Sequence, residues 1–414
     1  MKLPFPRPVA PLSLASSLLL CGWLHGLSAA TTRITVAAGD WDRSQSVVTF
    51  QVPAGAARAP QLRDARGRNV PVQIDSSGEA SFILDRLAEG QTASFELVES
   101  EAKLSGPGSG VEIARADRKL KVSVAGKPVL EYQAEPSDLP ARGIQSNFQR
   151  GAYIHPILSP SGRLVTDDYP RDHRHHHGIW FPWTRTEFEG RAPDFWNMGQ
   201  NSGRVEFAAL DAFWSGPVHG GFVARHSHVD LTTGVPKTAL NEVWNVRIYA
   251  IHAAPEPYWM FDLVSTQQCA TASPLKLPAY HYGGLGFRGH RDWVGKPQQP
   301  FLTSEGISDK LKGNGTRGRW CHVGGGVDGQ PAGVAVLGHP DNFRAPQPMR
   351  LNPDYPFLCF APSQLGEWTI EPGRPYVSRY RFIVADGPPD AAALDRLWND
   401  YAHPIAVKVE TPRR

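Results

Sequence analysis

Between Asp172 and Gly178 the chain reads Asp-His-Arg-His-His-His-Gly. Four imidazoles, His173, His175, His176 and His177, are packed into this short run, in a chain holding 15 His. Imidazole is the commonest metal ligand and the one side chain whose ordinary pKa lies near neutrality. Four together are costly if buried and charged. A metal, nearby carboxylates or an anionic ligand relieves that cost. His155, Asp167, Asp168 and Asp172 precede the run, and Trp180, Trp183 and Trp196 follow it. This stretch is the candidate site.

Pro170 stands before the run, Gly178 ends it, and Ile179-Trp180-Phe181 is strand-like. The segment therefore reads as a loop entering a strand. Extended backbone would put His173, His175 and His177 on one face and His176 on the other. Same-face residues of a regular strand stand about 6.5–7 Å apart, too far for three of them to hold one ion. At most two would ligate, so a zinc or copper set, if any, draws on His155, His175, His177 and His281. Metal ligation by a divalent ion, a metal-free polar ligand site and a structural polar network all remain open. Removing His175 or His177 is expected to abolish function and to shift stability by about 1 kcal/mol or less, as for groups lining an open pocket.

A second cluster runs Tyr280-His281-Tyr282-Gly283-Gly284-Leu285-Gly286-Phe287-Arg288-Gly289-His290. Its glycines either let backbone approach a ligand or mark a tight bend. Arg288 can clamp a carboxylate or vicinal hydroxyls through a bidentate fork. Glu242, on an alternating strand, is the isolated carboxylate candidate. Asn342-Phe343-Arg344 and Arg350 form a third polar and basic stretch. There is no His-Glu-x-x-His, no Gly-x-Ser-x-Gly and no phosphate-binding glycine loop, so zincin, serine-hydrolase and nucleotide chemistry lack support.

The elements that must position these residues are strands. Gly 40, Pro 37, Trp 12, Phe 18 and Tyr 11, with few helical patterns, indicate an all-β protein. Net charge is +3, which selects neither nucleic acid nor an anionic membrane. Residues 1–30 read as a signal peptide: Lys2 and Arg7, then a short apolar stretch, then Ser28-Ala29-Ala30 for cleavage. The mature chain is expected to be exported, periplasmic or secreted. Residues 31–101 read as a small β-sandwich, 102–110 as a linker, 111–405 as a large β-sandwich carrying the His run, and 406–414 as a tail. One C-terminal helix is expected, with Leu394, Leu397, Trp398 and Tyr401 at a 3.6 period and Asp390 near its cap. Cys269, Cys321 and Cys359 allow one disulfide plus a thiol, or three buried thiols.

Tyr153-Ile154-His155-Pro156-Ile157, Thr166-Asp167-Asp168-Tyr169-Pro170, the His run through Trp180, Asp194-Phe195-Trp196-Asn197 and Tyr282 to Arg288 resemble the bacterial "PmoA" family, DUF6807-type proteins of uncharacterised function. The resemblance covers roughly residues 110–405; Arg174 stands where relatives more often have Pro. The label implies a subunit of a membrane methane monooxygenase, but the sequence offers no apolar span after its N-terminal segment. The resemblance also implies an exported protein found among carbohydrate-degradation proteins. Its β-rich form is similar to galactose-mutarotase-type supersandwiches, a fold-level analogy. The expected function is an exported carbohydrate-active enzyme, of glycoside hydrolase or lyase type. His173, His175, His177, Asp172 and Glu242 would be catalytic. His155, His176, Trp180, Trp196, His281 and Arg288 would bind substrate. A non-catalytic sugar-binding protein and a His-ligated copper or zinc enzyme are the alternatives. The expected partner is a carbohydrate, with no nucleic acid and no span in the mature chain.

Overall fold

The computed structural model describes Met1 and residues 32–53, 60–99, 110–295 and 300–411. The expected signal peptide apart from Met1, nearly all of the expected linker and residues 412–414 lie outside the described residues. The chain is all-β. Two eight-stranded antiparallel sheets make up the larger unit. One runs, in spatial order, Met349–Leu351, Phe357–Phe360, Leu285–Arg288, Ile179–Trp180, Tyr153–Ile157, Lys127–Gln133, Lys119–Val124 and Val111–Ala116. The other is built around the long strands His219–Asp230, Lys237–Tyr249, Tyr258–Cys269 and Tyr376–Asp386.

Alternation explains the sandwich. On Lys237–Tyr249 the buried positions include Leu240, Trp244, Val246 and Ile248, every second residue. They join Ile154, Ile179 and Phe287 of the facing sheet in one core. Each large side chain so buried stabilises by roughly 1.5–3 kcal/mol.

Glu242 falls in the same phase, and this corrects its reading as a catalytic carboxylate at the His run. It is 1% exposed and lies inside the sandwich. Its Oε1 accepts from Ser265 Oγ at 2.6 Å, Trp244 Nε1 at 2.7 Å and Gln267 Nε2 at 3.0 Å. Its Oε2 meets His228 Nε2 at 3.0 Å and lies 3.6 Å from His226 Nδ1. Burial opposes the charge, but the imidazoles and donors outweigh it and hold the carboxyl well below its usual range. His226 in turn bonds the Tyr132 hydroxyl at 2.7 Å. This interior network joins the two sheets.

The smaller unit packs a five-stranded sheet on the three strands Arg43–Gln51, Glu79–Leu87 and Val72–Ile74, around Phe50, Phe82 and Phe95. Ala406–Glu410, read from the sequence as the start of a tail, is a strand of that sheet and pairs with Thr32–Ala37. The helix Ala391–Ala402 begins at Asp390, whose Oδ1 accepts from Ala393 N at 3.1 Å. Its Leu394 and Leu397 sit in a cluster that also contains Val47 and Ile83 of the smaller unit. Arg43 donates to Asp400 at 2.9 Å and Gln73 accepts from His219 N at 3.1 Å, tying the units together. A single helical turn, Lys310–Gly313, was not expected. Among the described residues no helix is long and apolar enough to cross a membrane. Cys269, Cys321 and Cys359 are unpaired thiols, and burial pushes Cys359 up to about 12.

Replacing Glu242 with Ala strands several buried donors at once. We expect Glu242→Ala to lower unfolding free energy by about 3–5 kcal/mol in chemical denaturation. A loss below about 1 kcal/mol would show that the network does not hold the sheets.

Candidate functional site

The His run is a pair of consecutive turns leading into the two-residue strand Ile179–Trp180. His173 N bonds Pro170 O at 3.1 Å, and His176 N bonds His173 O at 2.9 Å. The entry into a strand matches the sequence reading, but the expected alternation does not hold. A turn brings residues three apart together, so the His173 and His176 rings stack at 4.6 Å and 19°. His176 continues the stack onto Phe357 at 5.0 Å. Gly178 is required at the end of the run, because a Cβ there would lie 2.3 Å from Ile154 O.

His173, His175 and His176 line a cavity of about 230 Å3. Trp196, Tyr282, Tyr355 and Phe357 give it aromatic walls, and Asn197, His281, Arg350 and Asn352 supply polar groups. Gly286 permits the wall: a Cβ there would touch both Trp180 and Trp196 at 3.0 Å. Arg288 and Asp172 stand behind the imidazoles. Arg288, wholly buried, donates through Nη2 to both Asp172 oxygens, at 3.1 and 3.0 Å. Asp172 Oδ2 also meets His173 Nδ1 at 2.7 Å. Burial works against the Asp172 charge, yet His173 and Arg288 keep its carboxyl below the ordinary range. An Nδ1–H given to this carboxylate leaves the His173 Nε2 lone pair for a ligand.

His177 belongs elsewhere. It is wholly buried, and its Nδ1 meets Asp168 Oδ1 at 2.5 Å. Tyr153 donates to the other Asp168 oxygen at 2.9 Å. Burial pushes the imidazole down to about 4 against the pull of Asp168. His155 is also apart from the cavity wall, with Nδ1 2.9 Å from Thr166 Oγ1. Trp180 is fully buried beneath His176, 5.0 Å from its ring, and supports the wall rather than lining it. The set named for a metal is thus divided: His175 and His281 line the cavity, His155 and His177 do not. Among the described residues no group of three His, Cys, Asp or Glu is arranged to hold a metal ion.

Several cavity residues escaped the sequence reading. Asn352, Tyr355 and Phe357 carry no motif, and only the pairing of Phe357–Phe360 with Leu285–Arg288 brings them here. The third basic stretch splits: Arg350 lines the cavity, whereas Arg344 spends its guanidinium on the carbonyls of Pro362, Gly366 and Glu367.

Burial holds His175 down to about 3 and His176 well below its ordinary value, with neighbouring positive charge adding to both. These imidazoles bind protons in the unfolded chain and not in the folded one. Their contribution is therefore complete above the unfolded value of about 6.5 and is lost progressively as pH falls below it, toward the folded value of about 3 for His175. We expect a thermal midpoint that is level near pH 7 and declines steadily below about 6.5; a midpoint unchanged between pH 7 and 5 would contradict it. The single substitutions should also separate. His177→Ala removes a buried partner of Asp168 and should cost about 3 kcal/mol or more, correcting the small effect expected from sequence. His175→Ala, on the cavity wall, should cost about 1 kcal/mol in the same thermal scans.

Two solved structures illustrate what the chain is similar to. One is a protein in glycosyl hydrolase family 38 from Enterococcus faecalis, at 10% identity and TM-score 0.44, covering 92% of this chain and 48% of that one. The other is an alpha-mannosidase from Enterococcus faecalis V583, at 10% identity and TM-score 0.45, covering 94% and 46%. The chain thus spans about half the length of these structures. No curated protein matches it. Residues 119–399, which hold the His run, the cavity and the interior network, match a family of unknown function, DUF6807, and the chain belongs to that family.

Proposed function

We propose that the protein is an exported carbohydrate-active enzyme that works on a glycoside or oligosaccharide through the His173 cavity. The observation that carries this reading is the relay Arg288–Asp172–His173 opening into an aromatic-walled space. Aromatic faces with a few convergent polar groups suit a sugar ring, whose C–H faces stack while its hydroxyls bond. Asn197, Asn352 and the imidazoles of His175, His176 and His281, whose charged form burial disfavours, can both donate and accept, as hydroxyls require. The N-terminal apolar segment supports export.

His173 is the proton-transfer group in this reading. Asp172 fixes its tautomer, and Arg288 fixes Asp172. Hydrolysis by a carboxylate pair would need two acids flanking the bond, about 5–10 Å apart. Asp172 is already engaged by Arg288 and His173, and Asp168 by His177 and Tyr153. The geometry therefore favours an imidazole base.

Screening the purified protein against a glycan panel tests the reading. Turnover of at least one glycan is expected. On that glycan His173→Ala should lower kcat by about 100-fold or more with its thermal midpoint nearly unchanged, and Asp172→Asn by about 10- to 100-fold with a lowered midpoint, because it leaves the buried Arg288 without its counter-charge. Full activity in His173→Ala would sink the assignment. Binding of a glycan with no turnover would make the protein a sugar-binding module instead.

A further inference from the structure

The carboxylates near the cavity are occupied, whereas the arginine on its wall, Arg350, is not. Asp172 takes Arg288 and His173. Asp194, behind the wall, accepts from the Thr184 hydroxyl, the Asn197 amide and the backbone N–H groups of Trp196 and Asn197. Arg350 lines the cavity with His281 and Asn352. Its hydrogen bond goes to a neutral group, Asn314 Oδ1, at 3.2 Å. Among the described residues no carboxylate pairs with Arg350. Arg185, off the cavity wall, has its guanidinium carbon 6.0 Å from the Tyr280 ring centre, and among the described residues no carboxylate pairs with it. That ring lies 4.3 Å from His281 and 5.1 Å from Tyr282, both of which line the cavity. The charge of Arg350, added to burial, keeps His281 below its ordinary value. With burial disfavouring charge on His175, His176 and His281, the Arg350 guanidinium leaves the cavity wall with a positive excess. A guanidinium fork matches a planar carboxylate through two parallel hydrogen bonds.

Resting on the carbohydrate reading above, we infer that the sugar bound here is a uronate, held by its carboxylate at Arg350, and that its glycosidic bond is broken by elimination. The Arg350 charge stabilises electron density moving onto the carboxylate, which acidifies the C5–H bond. His173 Nε2 takes the C5 proton, and the freed electron pair forms the C4=C5 double bond. The C4–O bond breaks, its oxygen leaving with the bonding pair. Tyr282 protonates that oxygen; its hydroxyl accepts from Asn197 Nδ2 at 3.0 Å and keeps its own proton to give. His173 gains one proton, Tyr282 loses one, and exchange with water restores both. No oxidant, reductant or hydrolytic water enters.

The test compares uronate oligosaccharides with matched neutral and sulfated ones. Calorimetric titration reads binding, and ultraviolet absorbance of the conjugated C4=C5 bond reads elimination. Uronates are expected to bind preferentially and to give the absorbance. Arg350→Gln should weaken uronate binding roughly 10- to 100-fold and remove the signal, and Arg350→Lys should fall between. Thermal midpoints establish that each variant folds; if Arg350→Gln does not, Arg350→Lys decides the question. His173→Ala should keep the uronate preference and lose the absorbance. Equal binding of neutral sugars, or unchanged uronate binding in Arg350→Gln, overturns the inference and leaves the carbohydrate reading standing. Tighter binding of sulfated than of uronate sugars overturns the carboxylate assignment. Uronate cleavage without the absorbance overturns elimination. If no glycan of any class binds, the carbohydrate reading itself falls and takes this inference with it.

Discussion

A guanidinium with no exposed surface needs a counter-charge, and the placing of the His loop follows from that need. Arg288 sits on an inner strand of the cavity-bearing sheet. Left alone there its charge would cost several kcal/mol. Asp172 provides the counter-charge from a loop, which holds that loop against the sheet. With Asp172 anchored, the turn bonds from Pro170 and His173 fix the next four residues. The ring stack of His173, His176 and Phe357 is then a geometric consequence. The same ion pair that seats the loop also sets which nitrogen of His173 faces the cavity.

The interior holds a second solution to the same problem. Glu242 is charged and buried, and it is satisfied by Ser265, Trp244, Gln267 and two imidazoles. Arg150 lies within electrostatic reach of both this carboxylate and Asp168, and its guanidinium donates to the carbonyls of Gly151 and Ala152. Buried charge thus extends from behind the His loop to the middle of the sandwich.

Local pattern made the strands, the C-terminal helix and the all-β class legible, because periods of two and 3.6 are written in neighbouring residues. It also made the His run conspicuous. The run's conformation was not legible, since turn bonds at Pro170 override the alternation that extended backbone would impose. Glu242 was misread although its phase was available: Leu240, Trp244, Val246 and Ile248 put it on the inward face. Arg350, Tyr355 and Phe357 reach the cavity through the order of strands in the sheet, which no local pattern encodes. His155 and His177 look like cavity residues by proximity in sequence, and their hydrogen bonds to Thr166 and Asp168 turn them elsewhere.

The strand Ala406–Glu410 completes a sheet whose other members lie within residues 32–99. A ribosome makes the first of these segments long before the last. Throughout translation Thr32–Ala37 presents one bare edge, a row of unmet amide and carbonyl groups of the kind that recruits foreign strands. The early-made unit therefore stays one strand short until synthesis reaches residue 406, and a chain cut before that point leaves Thr32–Ala37 as the edge of its sheet.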